Sequence, residues 1–294
     1  MNVREVVRMK VTDIISGKKP SLSFEVFPPK TETGLHDVME SAAKIAALNP
    51  GYMSVTYGAG GSTARYTAEI AEGLRSLGVT PVAHLSCIGA TRESIRKKLI
   101  LLKEKGVENI LALRGDLPND GREYLSDYRY ASDLASDIRE SGGFCIGGAC
   151  YPEGHPESPD SDRDIENLKI KTECGCEYLT TQMFFDNNIL YNFMYRLMKA
   201  GINVPVVAGI MPVTNPKSIK RICAISGTSL PQRFLRIVER YGDEPEAMKQ
   251  AGIAYATEQI IDLYANGFNA VHVYSMNKPD VAAAIKSNIS EIIK

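Results

Sequence analysis

The chain has 294 residues, 44% of them hydrophobic, and its 34 Lys and Arg nearly balance 35 Asp and Glu, for a formal net charge of -1. Evenly spread charge of this size marks out no nucleic-acid or membrane surface, and no apolar run approaches the ~18–20 residues that span a bilayer. A chain of this length buries roughly three quarters of the surface its unfolded form exposes, so its core needs neither disulfides nor a metal.

The opening MNVREVVRMK is charged and has no apolar signal core, so a cytoplasmic address is expected. Beyond it, short β-rich runs alternate with longer helical ones. Strands are predicted at 21–27, 52–57, 81–88, 109–114, 144–151, 178–185, 204–211 and 270–275. Several are nearly continuous apolar runs, as parallel strands covered on both faces require. Leu35, Val38, Met39, Ala42 and Ile45 share one helical face, as do Ile95, Leu99 and Leu102. Gly51, Gly78, Gly106 and Gly201 follow helical stretches, where a left-handed cap favours glycine. Asn215-Pro216 reads as an N-cap with proline at the first helical position. Two further helices, 231–241 and 246–266, precede the last strand.

No linker, low-complexity tract or longer repeat interrupts this order. The expectation is one domain over 1–294: a (β/α)8 TIM barrel with extra helices before its last strand. An open doubly wound sheet is the runner-up. The six cysteines are scattered, and Cys174–Cys176 has no second pair at zinc-site spacing, so they read as small buried residues.

A TIM barrel keeps its chemistry at the C-terminal ends of its strands. There the chain places Glu25, Thr56, His84, Arg114-Gly115-Asp116, Tyr151, His155, Gln182, Asn277 and Lys278. Glu25 sits in Phe24-Glu25-Val26-Phe27, where burial raises a carboxyl pKa and suits a general acid. A structural ion pair is the alternative. His84 alone fits a satisfied core histidine, and the Arg114 triplet fits a strand-end turn. Gly58-Ala59-Gly60-Gly61 resembles a phosphate cradle, but Thr63 breaks the G-x-G-x-x-G fingerprint. Glu25, His84, Asp116 and His155 could be drawn as metal ligands. Without a His-x-His pair or a bridging lysine, no metal is expected.

The blocks from Phe24 to Lys30, Ser54 to Ala59, His84 to Cys87, Leu111 to Asp116, Tyr130 to Leu134, Tyr151 to Glu157, Thr181 to Asp186, Gly209 to Val213 and Tyr274 to Asn277 together resemble the methylenetetrahydrofolate reductase family. They run in register along nearly the whole chain. The resemblance implies FAD in the barrel mouth and ping-pong turnover. NADH or NADPH reduces the flavin and leaves, and 5,10-methylenetetrahydrofolate then takes the hydride. It implies Glu25 as the acid that protonates N10 of the folate, its pKa raised by Phe24 and Phe27. Asp116 would stabilise the resulting iminium cation, and Gln182 would hydrogen-bond the folate. The flavin contacts implied are Thr56, His84, Arg114, Gly115, Asp116, Tyr130, Ala131, Tyr151, His155, Asp164, Asn167 and Lys171, with Arg114 and Lys171 against the diphosphate. Asp164 and Asn167, one helical turn apart, should face the same way.

The pattern departs from the bacterial NADH-using form at Ile170, Ser218 and Ile222, and Lys278 replaces an arginine that meets the folate tail. Lysine keeps that charge without the bidentate fork. These departures leave the electron donor open between a nicotinamide dinucleotide and an iron–sulfur partner subunit. The family suggests a homo-oligomer, and the regulatory region of eukaryotic relatives has no counterpart here, so adenosylmethionine inhibition by that route is not expected. Two other readings stand beside this one: another flavin barrel, such as a proline dehydrogenase, and a subunit that binds FAD only to pass electrons.

Overall fold

The computed structural model describes residues 9–29, 31–58, 64–116 and 126–294. Lys30, positions 59–61 of the glycine cradle and the Ser218 side chain lie outside them. Along the chain run α1 (Val11–Ile15), β1 (Ser21–Val26), α2 (Leu35–Ala46), β2 (Met53–Val55), α3 (Ala64–Ser76), β3 (Pro81–Ser86), α4 (Arg92–Glu104), β4 (Asn109–Leu113), α5 (Ala131–Ser141), β5 (Cys145–Cys150), α6 (Ser161–Glu173), β6 (Tyr178–Thr181), α7 (Asn187–Lys199), β7 (Val206–Ile210), α8 (Pro216–Ser226), α9 (Gln232–Tyr241), α10 (Pro245–Ala265), β8 (Ala270–Val273) and α11 (Pro279–Asn288). Neighbouring strands pair in parallel, and β1 pairs with β8 through Ser21↔Ala270 and Phe24↔Val273. That pairing closes the barrel and rules out the open sheet.

Each strand stops short of its predicted end. The trailing residues, such as Phe27, Tyr57 and Phe185, leave the ladder to form the loops of the mouth. Strand side chains alternate faces. Phe24, Val26, Met53, Val55 and Leu85 therefore point out, into a shell of apolar helix faces that includes Ala42, Ile45, Ile95, Leu99 and Leu102. Val82, Leu111, Tyr178 and Val207 point in. Each fully buried aliphatic or aromatic side chain contributes about 1.5–3 kcal/mol. The two extra helices form as expected, and the Asn215 side chain accepts from Lys217 N to cap α8.

Helix α1 has no counterpart in the sequence reading. Val11 and Ile15 join the inward cluster and plug the N-terminal end of the barrel. The Asn109 amide fastens the plug, accepting from Val11 N at 2.8 Å. Among the glycines, Gly78, Gly106 and Gly201 have φ between 69° and 81°, as read. Gly51 does not: Asn49 takes the left-handed turn at φ 51°. Gly51 is small for another reason, since a Cβ there would meet Ser21 Oγ at 2.5 Å. No helix among the described residues is long and apolar enough to cross a membrane.

Candidate active site

Glu25 is 5% exposed on β1. Its partner is not a cation. His84 Nε2, on β3, lies 3.6 Å from Glu25 Oε2, and both side chains are buried. Burial pushes the Glu25 carboxyl up to about 8 and the His84 imidazole down to about 3. At neutral pH both are uncharged, so the structural ion pair is not what forms. The cause also differs from the one expected. Phe24 faces the helices, and Glu25 is desolvated from within the barrel. There it shares a cavity of about 30 Å³ with Tyr52, Ser54, His84, Tyr178, Thr180, His272 and Tyr274.

His272, on β8, is a residue the sequence reading missed. Ser23 Oγ donates to Val271 O at 3.1 Å. With its one hydrogen used, Ser23 must accept from His272 Nδ1 at 2.7 Å. A neutral ring then accepts at Nε2, taking the Ser54 hydroxyl at 3.0 Å. The ring stacks on Tyr52, centroids 5.5 Å apart, and burial lowers its pKa to about 3. The only sequence signal was a histidine on the inward face of an apolar strand. The floor beneath Glu25 is thus polar but uncharged.

These shifts have opposite signs in stability. Glu25 holds its proton in the fold between about 4.5 and 8, so its contribution is full below 4.5 and is lost as pH rises through 8. His84 and His272 bind their protons only when unfolded, between about 3 and 6.5, so theirs is full above 6.5 and is lost as pH falls. Between pH 6.5 and 8 only Glu25 acts. There the parent should lose about 2 kcal/mol relative to Glu25→Gln, at ~1.4 kcal/mol per pH unit. Urea denaturation of both proteins at pH 6.5 and 8 measures this, and parallel pH dependences would sink the assignment.

The other candidates line the mouth. Gly115, two residues beyond β4, sits at φ +89°, where a Cβ would meet Ser86 Oγ at 2.2 Å. Asp116 beside it is exposed. Arg114 donates Nη1 and Nη2 to Glu157 at 2.5 and 2.6 Å and Nε to Gly115 O, which leaves two of its five N–H groups. Lys171 Nζ donates to Ala149 O at 2.6 Å and keeps two more. Tyr151 meets His155 edge-on with centroids 4.6 Å apart. Tyr130 is 51% exposed beside buried Ala131 at the start of α5. Thr56 is half-buried, and its carbonyl accepts from Thr67. Gln182 Oε1 accepts from Met183 N at 3.0 Å.

Two expectations change. Asp164 is buried and accepts from Ser158, whereas Asn167 is exposed. A three-residue step turns a helix by about 300°, enough here to put one side chain inside and the other in solvent. Glu157 lay within a matched block but had no assigned role, and it engages the Arg114 guanidinium. At the opposite rim, Lys278 Nζ donates to Thr214 Oγ1 at 2.6 Å. Asn277, left-handed at φ 56° after Met276 at 55°, bonds both backbone groups of Phe27. Consecutive strained residues of this kind persist where the surroundings over-determine them. Among the described residues, no group of three or more His, Cys, Asp or Glu could hold a metal ion.

The residues at the mouth fit a flavin dinucleotide. Arg114 and Lys171, each with two N–H groups to spare, and the half-buried Tyr151 suit a flat, anionic, aromatic ligand, while Gly115 is kept small by Ser86 and Ile88.

A model of the methylenetetrahydrofolate reductase family matches residues 10–290. The chain is 34% identical over 298 residues to methylenetetrahydrofolate reductase (NADH) 1 of Arabidopsis thaliana, with 96% of this chain and 50% of that one covered. It is 33% identical over 285 residues to 5,10-methylenetetrahydrofolate reductase of Pectobacterium carotovorum subsp. carotovorum, covering 97% and 94%. It thus spans about half the length of the plant relative and nearly all of the bacterial one. Among solved structures, an uncharacterized protein from Clostridium thermocellum that binds two copies of 5-methyl-5,6,7,8-tetrahydrofolic acid aligns with TM-score 0.66, 15% identity and coverage of 96% and 99%. At that identity the likeness concerns the fold.

Proposed function

The chain belongs to the methylenetetrahydrofolate reductase family, and we propose that it is one catalytic barrel that reduces 5,10-methylenetetrahydrofolate to 5-methyltetrahydrofolate with FAD and a nicotinamide dinucleotide. The observation that carries this reading is the uncharged carboxyl of Glu25, buried at the mouth of β1 in a chain of this family.

Bound FAD supplies the hydride carrier that links donor and folate. Arg114 and Lys171 would hold its diphosphate with their remaining N–H groups. Gly115, Tyr151, His155, Thr56, His84, Tyr130 and Ala131 would line it, with buried Asp164 and exposed Asn167 reaching it from different sides of α6. Glu25 gives its proton to N10 of the folate and opens the five-membered ring to an iminium cation. The Asp116 carboxylate stabilises that cation electrostatically. Gln182 orients the folate through its amide, and Lys278 attracts the folate's carboxylate tail. The protein works in the cytoplasm as a homo-oligomer; its free cysteines suit a reducing compartment.

NADH is the favoured donor, following the plant relative's name. Ile222 offers no ring for an adenine to stack on, a loss that bears on NADH and NADPH alike and keeps an iron–sulfur protein as the second reading. Anaerobic stopped-flow of the yellow protein tests both. Bleaching by 5-methyltetrahydrofolate and by NADH is expected. Bleaching by the folate alone would transfer the donor role to a protein, and protein without flavin would overturn the proposal.

A further inference from the structure

His84 Nε2 is a buried polar atom with no hydrogen-bond partner. Glu25 Oε2 lies 3.6 Å from it. A buried ring nitrogen left unpaired is costly, and a shift of about 0.5 Å would bring the pair to ordinary bonding distance. Other titratable groups facing the same cavity are Tyr52 just before β2, Tyr178 on β6, His272 on β8 and Tyr274 just after it. Burial keeps all four uncharged near neutral pH. His272 has both ring nitrogens occupied by serines. Glu25 and His84 therefore have only each other to settle where a proton sits.

We propose that His84 is a positioning residue for Glu25: it stays neutral with its proton on Nε2, donates that N–H to Oε2, and so leaves the transferable proton on Oε1. A bare lone pair at Nε2 would draw the Glu25 hydroxyl inward and tie up the proton the reaction needs. An N–H there is satisfied in both states, because Oε2 accepts as a carbonyl oxygen and as a carboxylate. When the Oε1–H bond breaks, the proton goes to N10 of the folate and the electron pair stays on the carboxylate. The His84 bond then becomes charge-assisted and stronger. His84 neither gains nor loses a proton. Its predicted place among the flavin contacts is compatible with this, since only Nε2 is used.

The inference rests on the reductase reading, and two measurements separate their failures. In FAD-loaded protein labelled with ¹⁵N-histidine, the spectrum holds only four side chains, His36, His84, His155 and His272, and His84→Gln assigns the signal. A neutral Nε2–H tautomer at pH 7 is expected. An Nδ1–H tautomer or an imidazolium would overturn the proposal whatever the enzyme's substrate. Rapid-reaction kinetics of the folate step then compare His84→Leu, which removes the donor, with His84→Gln, whose amide keeps an N–H near the Nε2 position. The leucine variant should slow the step about tenfold and move the upper limb of its pH profile up by about one unit, and glutamine should restore both. A leucine variant with the parent's profile, or a glutamine variant no better than leucine, would also overturn it. A parent protein inert toward methyltetrahydrofolate would instead refute the reductase reading and leave the tautomer result standing.

Discussion

Glu25→Gln is expected to keep FAD and its reduction by the nucleotide donor, and to slow the folate half-reaction by about 10²- to 10⁴-fold, the usual contribution of a positioned general acid. Glutamine matches the carboxyl in size, so the cavity it shares with Ser54, His84 and Thr180 stays filled. What disappears is the proton. The parent's folate step should hold constant below about pH 8 and fall above it, because burial raises the carboxyl to that value. The variant should show a flat, low profile across the same range. Stopped-flow measurement of each half-reaction separately is the check. A variant that reduces methylenetetrahydrofolate near the parent rate would show that the acid lies elsewhere, and His84, held neutral by its own burial, could not take its place.

Gly252→Ala should cost more stability than any cap or surface change, about 3 kcal/mol or more. On helix propensity alone, alanine would gain about 0.5–1 kcal/mol inside α10. Packing overrides that gain. A Cβ at Gly252 would lie 1.9 Å from Val213 O and 2.7 Å from its carbonyl carbon, so backbone must move. Val213 belongs to the apolar cluster with Met183, Phe185, Phe234 and Met248 that joins the extra helices to the barrel. The next residue, Thr214, holds Lys278, proposed to meet the folate tail. Thermal and urea denaturation should therefore show the loss, and any folded fraction should show a raised KM for folate with little change in flavin content. A variant as stable as the parent would mean that the α10 packing is looser than these contacts imply.

The alternation of strands and helices was legible along the chain because each element writes its own period into the sequence. Thus 231–241 and 246–266 were read within a residue or two of α9 and α10. The matched blocks also placed Glu25, Arg114, Gly115, Tyr151 and Gln182 at strand ends, where the barrel brings them to one mouth. The rise in the Glu25 pKa was legible, but neither its cause nor the neutral state of His84 was. Phe24 adjoins Glu25 in sequence yet faces the other side of the sheet, and the groups that desolvate Glu25 come from β2, β3, β6 and β8. His272 and Glu157 escaped for the same reason: their partners Ser23, Ser54 and Arg114 are 43 to 249 positions away.

Local pattern, then, determined the order of elements, the caps at Asn215 and Gly106, and which side chains reach the strand ends, since these depend on residues within a few positions of one another. Closure of the barrel through β1 and β8, its plug by α1, and the neutral Glu25–His84 pair were decided only in three dimensions. Each depends on burial and on distances between residues far apart in the chain, and those exist only once the strands have closed.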